Sequence, residues 1–277
     1  MSMPMRRLST NPSPWRGALV AGGALVAAGI LAACGASTSS SSASSSASSP
    51  AATTTSVAGD PHTTVFAAAS LTKVFPQIDS SAKYTFGGSG ALEVQIEQGA
   101  PADVFAAASP GQPAELYTKG LVEKPVEFAT NTLVLIVPKG NPAHITSVSD
   151  ITKPGVKLVI CNATVPCGDY ARNVFTNLGI TGPAMKNVVS QTTDVTQTVA
   201  QVALGQADAG FVYITDADAA KGKVSVIRLP AKAKPDAEDY IAVVKASKDR
   251  GAASAFVKRV LSPQGQAKLQ AAGFGKP

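Results

Sequence analysis

The chain has 277 residues, with 24 Lys or Arg against 18 Asp or Glu and a formal net charge of +6. Aromatic residues make up only 5% and no run of basic residues is present, so the composition gives no support to nucleic-acid binding. Three basic residues, Arg6, Arg7 and Arg16, precede an apolar stretch over 17–31, which leaves 21 basic and 18 acidic residues, a charge of +3, for the remainder.

The apolar stretch is too short to span a membrane comfortably and has the length of a signal-peptide core. It ends in Leu31-Ala32-Ala33-Cys34-Gly35, which resembles the lipobox of bacterial lipoproteins, where cleavage precedes a cysteine that carries a diacylglycerol. A plain secretory signal with an incidental cysteine is the alternative. We predict a lipoprotein signal peptide over 1–33 and an exported chain, anchored through lipidated Cys34 to the outer face of the cytoplasmic membrane.

Residues 34–61 begin with Cys34 and continue almost entirely in Ser, Ala and Thr. Such a segment has no apolar periodicity and cannot bury enough surface to offset the entropy lost on ordering. We predict a flexible tether, and the composition also permits a glycosylated stalk.

From residue 62 onward, 216 residues remain, enough for one large domain or two small lobes. Short apolar strands are predicted over 63–67, 83–86, 103–106, 133–137, 156–161, 188–190, 208–213, 224–229 and 240–244. Helices are predicted over 71–78, 91–98, 110–119, 169–178, 194–204, 252–260 and 263–271. This alternation favours an α/β fold with parallel sheets covered by helices.

Two long apolar strands, Leu133–Val137 and Tyr240–Val244, bracket the middle of the chain. If the chain crosses between lobes near each of them, residues 131–240 form one lobe, and residues 62–130 with 241–277 form the other. A cleft between the lobes would face the C-terminal ends of the strands, where open α/β sheets bind ligands.

Cys161 and Cys167 form an even pair once Cys34 is assigned to the lipid. An oxidising compartment outside the membrane favours a disulfide between them. A metal site is the less favoured reading, because it needs more ligands and the only histidines are His62 and His144.

Hydroxyl groups and helix starts recur where the predicted strands end. Ser70 follows the first strand at a position typical of a helix N-cap, and Ser89 lies in the turn Gly87-Gly88-Ser89-Gly90. Further along lie the helix starts at Cys167 and at Asp194-Val195, with Asp194 as the predicted N-cap, and the strand-end Tyr213. Neutral donors of this kind suit a desolvated oxyanion, since helix starts offer free N–H groups and partial positive charge.

Several motifs together resemble those of bacterial molybdate-binding proteins, the soluble receptors of ABC-type molybdate importers. The opening motif is Val65-Phe66-Ala67-Ala68-Ala69-Ser70-Leu71, and the second combines Phe86, Ser89 and Leu92 with the run from Gln95 to Phe105. Later motifs are Asn131-Thr132-Leu133-Val134-Leu135, Val165-Pro166-Cys167-Gly168-Asp169-Tyr170, Asp194-Val195, and Gly210-Phe211-Val212-Tyr213 with Asp216-Ala217. The resemblance covers about residues 62–277.

The resemblance implies a two-lobed periplasmic-binding-protein fold of type II, with each lobe a mostly parallel sheet flanked by helices and the ligand in the interlobe cleft. It implies a molybdate site, equally able to take tungstate, formed by Ser70, Ser89, Cys167, Val195 and Tyr213. Ser70 and Ser89 would each give a hydroxyl and an amide, Cys167 and Val195 an amide, and Tyr213 its hydroxyl. Cys167 stands where the best-known members carry alanine, so a disulfide to Cys161 would have to turn its sulfur away.

The resemblance also implies a monomer that hands the anion to a membrane permease, is not an enzyme, and holds neither a cofactor nor a resident metal ion, since molybdenum arrives as the oxyanion. Three alternatives stay open: a binder of sulfate or thiosulfate, an exported hydrolase or transferase that uses Ser70 or Ser89, and an adhesive lipoprotein with a vestigial cleft. Ser89 does not fit a nucleophile elbow, which needs glycine where Ala91 stands.

Overall fold

Two β-sheets that share one long strand form the frame of the protein. The computed structural model describes residues 63–277, so the predicted signal peptide, the lipidated Cys34 and the tether lie outside the described residues. Among the helices of this described part, none combines the length and hydrophobicity that a membrane span requires.

Strands and helices alternate along most of the chain, as the sequence predicts. The strands are β1 (Thr64–Ala68), β2 (Lys83–Gly87), β3 (Val104–Ala107), β4 (Val126–Pro138), β5 (Leu158–Cys161), β6 (Val188–Thr192), β7 (Ala209–Tyr213), β8 (Val224–Ile227) and β9 (Asp236–Val243). The α-helices are α1 (Phe75–Ile78), α2 (Ser89–Glu97), α3 (Gly111–Thr118), α4 (Pro166–Leu178), α5 (Thr181–Lys186), α6 (Val195–Ala203), α7 (Ile214–Ala219), α8 (Arg250–Leu261) and α9 (Pro263–Ala271).

The first sheet has the strand order β2-β1-β3-β9-β4, and the second sheet continues from β4 through β7 and β5 to β6, with β8 on the other side of β4. In the first sheet β1 runs parallel to β2 and β3, and only β9 is reversed. In the second sheet β5 runs parallel to β6 and β7, and only β4 is reversed. The predicted α/β class with mostly parallel sheets is therefore confirmed.

Strand β4 passes from one sheet into the other. Its first half, from Val126 to Thr132, pairs with β9, and its second half, from Leu133 to Pro138, pairs with β7 and β8. The sequence predicts a strand only for the second half of β4. The apolar run begins at Leu133, whereas the preceding residues Thr130-Asn131-Thr132 are polar. These polar residues lie where the strand crosses between the sheets.

The connection after β1 differs from the predicted helix over 71–78. A short 3₁₀ turn, Ala69–Leu71, follows the strand directly, and α1 begins only at Phe75. Pro76 is the second residue of α1, where a missing N–H removes no helical hydrogen bond. Pro76 thus lies where proline favours the start of a helix.

A disulfide joins Cys161, the last residue of β5, to Cys167, the second residue of α4. Both residues are buried. The bond closes the loop that leads from the second sheet into α4, and Gly168 packs against this loop so closely that a Cβ there would lie 1.8 Å from the Asn162 carbonyl oxygen. The start of α4 is consequently held against the end of β5 by a covalent bond and by backbone packing.

We predict that the double substitution Cys161→Ala/Cys167→Ala lowers the free energy of unfolding by about 2 kcal/mol, because the short closed loop no longer restricts the unfolded chain. Urea denaturation of the variant beside oxidised and fully reduced wild type measures the effect. The reduced wild type should unfold at nearly the same urea concentration as the variant. Equal stability of the oxidised protein and both thiol-free forms would contradict the prediction.

Candidate functional site

A small hollow of about 10 Å³ lies where the C-terminal ends of β1, β2, β3, β5 and β7 face one another. This is about the smallest space that can hold one water molecule. All five residues predicted for the ligand set border it: Ser70, Ser89, Cys167, Val195 and Tyr213. The fold therefore brings together residues that are spread over 144 positions of the sequence.

Two serines reach the hollow from the first sheet. Ser70 lies inside the 3₁₀ turn after β1, and its buried Oγ has no hydrogen-bond partner within the described chain. The expectation that Ser70 caps a helix is wrong, because Ala68 holds the N-cap position and the Ser70 hydroxyl accepts from no amide. A buried hydroxyl without a partner is unfavourable unless a ligand or water satisfies it.

Ser89 is the first residue of α2 and is 1% exposed. Its Oγ accepts a hydrogen bond from the amide of Ala108 at 3.2 Å. This bond ties the start of α2 to the end of β3 and leaves the hydroxyl hydrogen of Ser89 available to donate. The Ser89 side chain is therefore held in place at the start of α2.

Two helix starts reach the hollow from the second sheet. Cys167 follows Pro166 at the beginning of α4, and Val195 is the first residue of α6. Amides in the first turn of a helix have no acceptor within the helix, so these N–H groups are available to an anion. Asp194 caps α6 as predicted, with its carboxylate accepting from the Gln197 amide at 3.0 Å.

Tyr213 ends β7 and is 1% exposed. Its hydroxyl lies 3.5 Å from the carbonyl oxygen of Ala108, which directly follows β3 of the first sheet. Burial, together with the nearby Asp239 carboxyl group, raises the pKa of Tyr213 well above its ordinary value. The phenol therefore keeps its proton and can act as a hydrogen-bond donor at neutral pH.

Within residues 63–277, no lysine or arginine borders the hollow. Arg172 lies one turn into α4, but its guanidinium donates to the carbonyl oxygens of Cys161 at 3.1 Å and Gly168 at 2.8 Å. The positive potential at the hollow must therefore come from backbone dipoles at the helix starts.

Two buried acids lie next to this donor set. Asp216, in the first turn of α7, accepts from the Tyr213 amide at 3.3 Å, and burial raises its pKa to about 7. Asp216 is buried although it lies at the start of a helix, where an acidic residue is usually exposed to solvent. Asp216 can accept a proton near neutral pH, which weakens its repulsion of an anion.

Asp239 is fully buried, and neither of its carboxyl oxygens has a hydrogen-bond partner within the described chain. Asp239 precedes Tyr240, which pairs with Ala107 of β3, and Asp239 itself pairs with Ala129 of β4. Burial raises the pKa of Asp239 well above its ordinary value, and the negative charges of Asp216 and Glu127 raise it further. Asp239 is absent from the predicted site residues because the predicted strand begins one residue later, at Tyr240.

A larger cavity of about 580 Å³ borders Ser70 on its other side. It lies among α1, α6, α7 and the C-terminal residues, and its walls include Asp216 and Asp218. The wall also carries Lys73 and Lys223 and includes only Ser70 of the five predicted residues, whereas all five, and no charged side chain of the described chain, border the smaller hollow. The smaller hollow is therefore the better candidate for an anion site.

A model of the bacterial extracellular solute-binding protein family matches residues 63–275. The molybdate-binding protein ModA of Mycobacterium tuberculosis (strain H37Rv) is 40% identical over 223 residues, which cover 77% of this chain and 84% of the relative.

Two solved structures share the fold. The periplasmic molybdate-binding protein of Azotobacter vinelandii has a TM-score of 0.69 at 24% identity and covers 78% of this chain and 100% of its own. The sulfate-binding protein SubI of Mycobacterium tuberculosis has a TM-score of 0.64 at 21% identity and covers 77% and 86%. At these identities the likeness concerns the fold alone.

We predict that the free energy of unfolding falls as the pH rises from about 5 to about 8, in part because folded Asp239 keeps a proton that the unfolded chain loses near pH 3.8. In Asp239→Asn this slope should be shallower by up to about 1.4 kcal/mol per pH unit, since asparagine does not ionise. Denaturant unfolding at several pH values measures it. Asp236→Asn, on the exposed face of the same strand, is the matched control and should keep the wild-type slope. A wild-type slope in Asp239→Asn would contradict the prediction.

Proposed function

The chain belongs to the bacterial extracellular solute-binding protein family, and we propose that it is the component of an ABC-type importer that captures molybdate outside the cytoplasmic membrane and delivers it to the permease. One observation carries the proposal. The buried, unpartnered hydroxyl of Ser70 borders a hollow to which two helix starts, Ser89 and Tyr213 also contribute neutral donors.

The donor set fits a small dianion. Three hydroxyl groups, from Ser70, Ser89 and Tyr213, would bind together with the amides of Ser70, Ser89, Cys167 and Val195. Each hydrogen bond to a charged group contributes about 1.5–3 kcal/mol, so seven of them can hold a dianion tightly after the cost of association is subtracted. The same chemistry serves tungstate, which we propose as a second ligand.

A site made of donors also discriminates by protonation. A protonated oxyanion brings a hydrogen that would need an acceptor, and the free groups around the hollow are donors, so the fully ionised form binds better. The disulfide supports this arrangement, because it engages the Cys167 sulfur and leaves its amide to bind. Buried dipoles are also screened little by salt, so we expect binding to vary little with ionic strength.

We propose that the two lobes follow the two sheets and close about the strands that connect them. One crossing lies within β4, near the predicted boundary at residue 131. For the return crossing we propose the segment 228–235 in place of residue 240, because β9 pairs within the first sheet from Asp236 onward. The residues of the first sheet then carry Ser70 and Ser89, and those of the second carry Cys167, Val195 and Tyr213.

Members of this family are extracellular proteins, so the chain is exported. We propose that lipidated Cys34, outside the described residues, anchors it to the membrane and that it acts as a monomer. A hydrolase that uses Ser70 or Ser89 has no support from the site. The histidine of the described chain, His144, lies exposed in the loop after β4, and the Ser89 hydroxyl accepts from an amide.

Isothermal titration calorimetry of the purified protein with sodium molybdate tests the proposal. We expect saturable binding of one anion. Ser70→Ala and Ser89→Ala should each weaken it by at least about 1 kcal/mol, roughly fivefold in Kd, because each removes a hydroxyl donor to a charged ligand. Ser149→Ala, at an exposed position in the second half of the chain, is the matched control and should bind as wild type.

Titration with sulfate and phosphate tests the alternative that the chain binds another tetrahedral oxyanion. Since the sulfate-binding protein SubI has the same fold, binding of sulfate in the absence of any heat with molybdate would assign the chain to another oxyanion. Wild-type affinity in both site-serine variants would remove the proposed site.

A further inference from the structure

Two glycines of the first half of the fold touch the backbone of the second half beside the hollow. Gly88 and Gly90 flank Ser89, between β2 and the first turn of α2. A Cβ on Gly88 would lie 2.2 Å from the carbonyl oxygen of Thr193, and a Cβ on Gly90 would lie 2.1 Å from the carbonyl oxygen of Thr164. Thr164 precedes α4 and Thr193 precedes α6, and both helices follow strands of the second sheet. Each contact therefore joins the half of the fold built on the first sheet to the half built on the second.

At each contact a Cα hydrogen stands where a side chain would otherwise begin, and it points at a carbonyl oxygen. Cα–H···O contacts of this kind are weak but let two backbones approach closely. A real Cβ needs about 3.0 Å or more from such an oxygen. Any side chain at Gly88 or Gly90 would therefore have to push the carbonyl away by about 1 Å.

The two carbonyls sit in segments that cannot easily yield. Thr164 lies within the loop closed by the Cys161–Cys167 disulfide, where the Val165 amide also bonds to the Asn162 carbonyl at 3.1 Å.

Thr193 is held beside the cap of α6. Its hydroxyl accepts from the side-chain nitrogen Nε2 of Gln197 at 2.7 Å, and the same nitrogen donates to the Asp194 carboxylate at 2.7 Å. The displacement must therefore be taken up by separation of the two halves.

Neither glycine is needed for its own backbone conformation. Gly88 has φ −67° and ψ 132°, which alanine adopts freely, and neither residue has positive φ. Gly90 is helical, so alanine there favours the helix over glycine. The requirement for glycine comes from the opposite half of the molecule.

We propose that Gly88 and Gly90 determine how far the cleft closes, and so hold the two sets of anion donors at bonding distance. This inference rests on the proposed function. An opening of about 1 Å moves a hydrogen bond of ordinary length beyond the distance at which it contributes. Donors from one half would then bind the anion while those from the other half would not.

The test compares Gly90→Ala and Gly88→Ala with wild type by molybdate calorimetry, stopped-flow kinetics and thermal unfolding without ligand. We expect Kd to rise about tenfold or more. The rise should come from faster dissociation at an unchanged association rate, since the open form that meets the anion is unaltered. The ligand-free melting temperature of Gly90→Ala should equal or exceed that of wild type. Small-angle scattering should show a smaller molybdate-induced decrease in radius of gyration.

Gly182→Ala is the matched control. Gly182 is likewise the second residue of a helix, and a Cβ there would meet no atom within 4 Å. This variant should bind as wild type. Wild-type affinity in both Gly88→Ala and Gly90→Ala would overturn the inference alone. No molybdate binding by wild type would overturn the proposed function, and the inference with it.

Discussion

The structure depends on one constraint: backbone amides at the start of a buried helix must find an acceptor. Both sheets direct the C-terminal ends of their parallel strands to the same hollow, and α2, α4 and α6 begin there. Caps satisfy part of the demand, as Asp194 does for α6. The hydroxyl of Ser70, which has no partner within the described residues, and the first residues of α4 and α6 border a space of about 10 Å³. A small oxyanion supplies many acceptor lone pairs in one place, which is what such a surface lacks.

The buried acids near the hollow are compatible with an anion because burial favours their neutral form. Asp239 and Asp216 both have raised pKa values, and Tyr213, which borders the hollow and donates its amide to Asp216, keeps its phenolic proton. A guest with two negative charges would add to the same effect, since it disfavours ionisation of its neighbours. Neutral groups therefore border the hollow, and burial favours the uncharged form of the two acids near Tyr213.

Backbone geometry, more than side-chain chemistry, positions these groups. The disulfide and the packing of Gly168 hold the start of α4 against β5. The amide of Ala108 and the hydroxyl of Ser89 join the ends of β3 and α2, and the carbonyl of Ala108 faces Tyr213 across the cleft. Gly88 and Gly90 allow the two backbones to meet. Small residues and glycines are concentrated at this point because the contacts are made by main-chain atoms.

The sequence by itself determined the alternation of strands and helices, the disulfide pair and the five residues around the hollow. Each of these is a local signal: a strand that stops at a hydroxyl or at a helix start, or two cysteines a few positions apart. The first half of β4, the burial of Asp239 and the contacts of Gly88 and Gly90 were decided only by the tertiary structure. Polar residues such as Asn131 and Asp239 carry no apolar pattern, and their environment depends on which strand pairs with them. The two glycines look like an ordinary turn until Thr164 and Thr193 are brought against them from the other half of the fold.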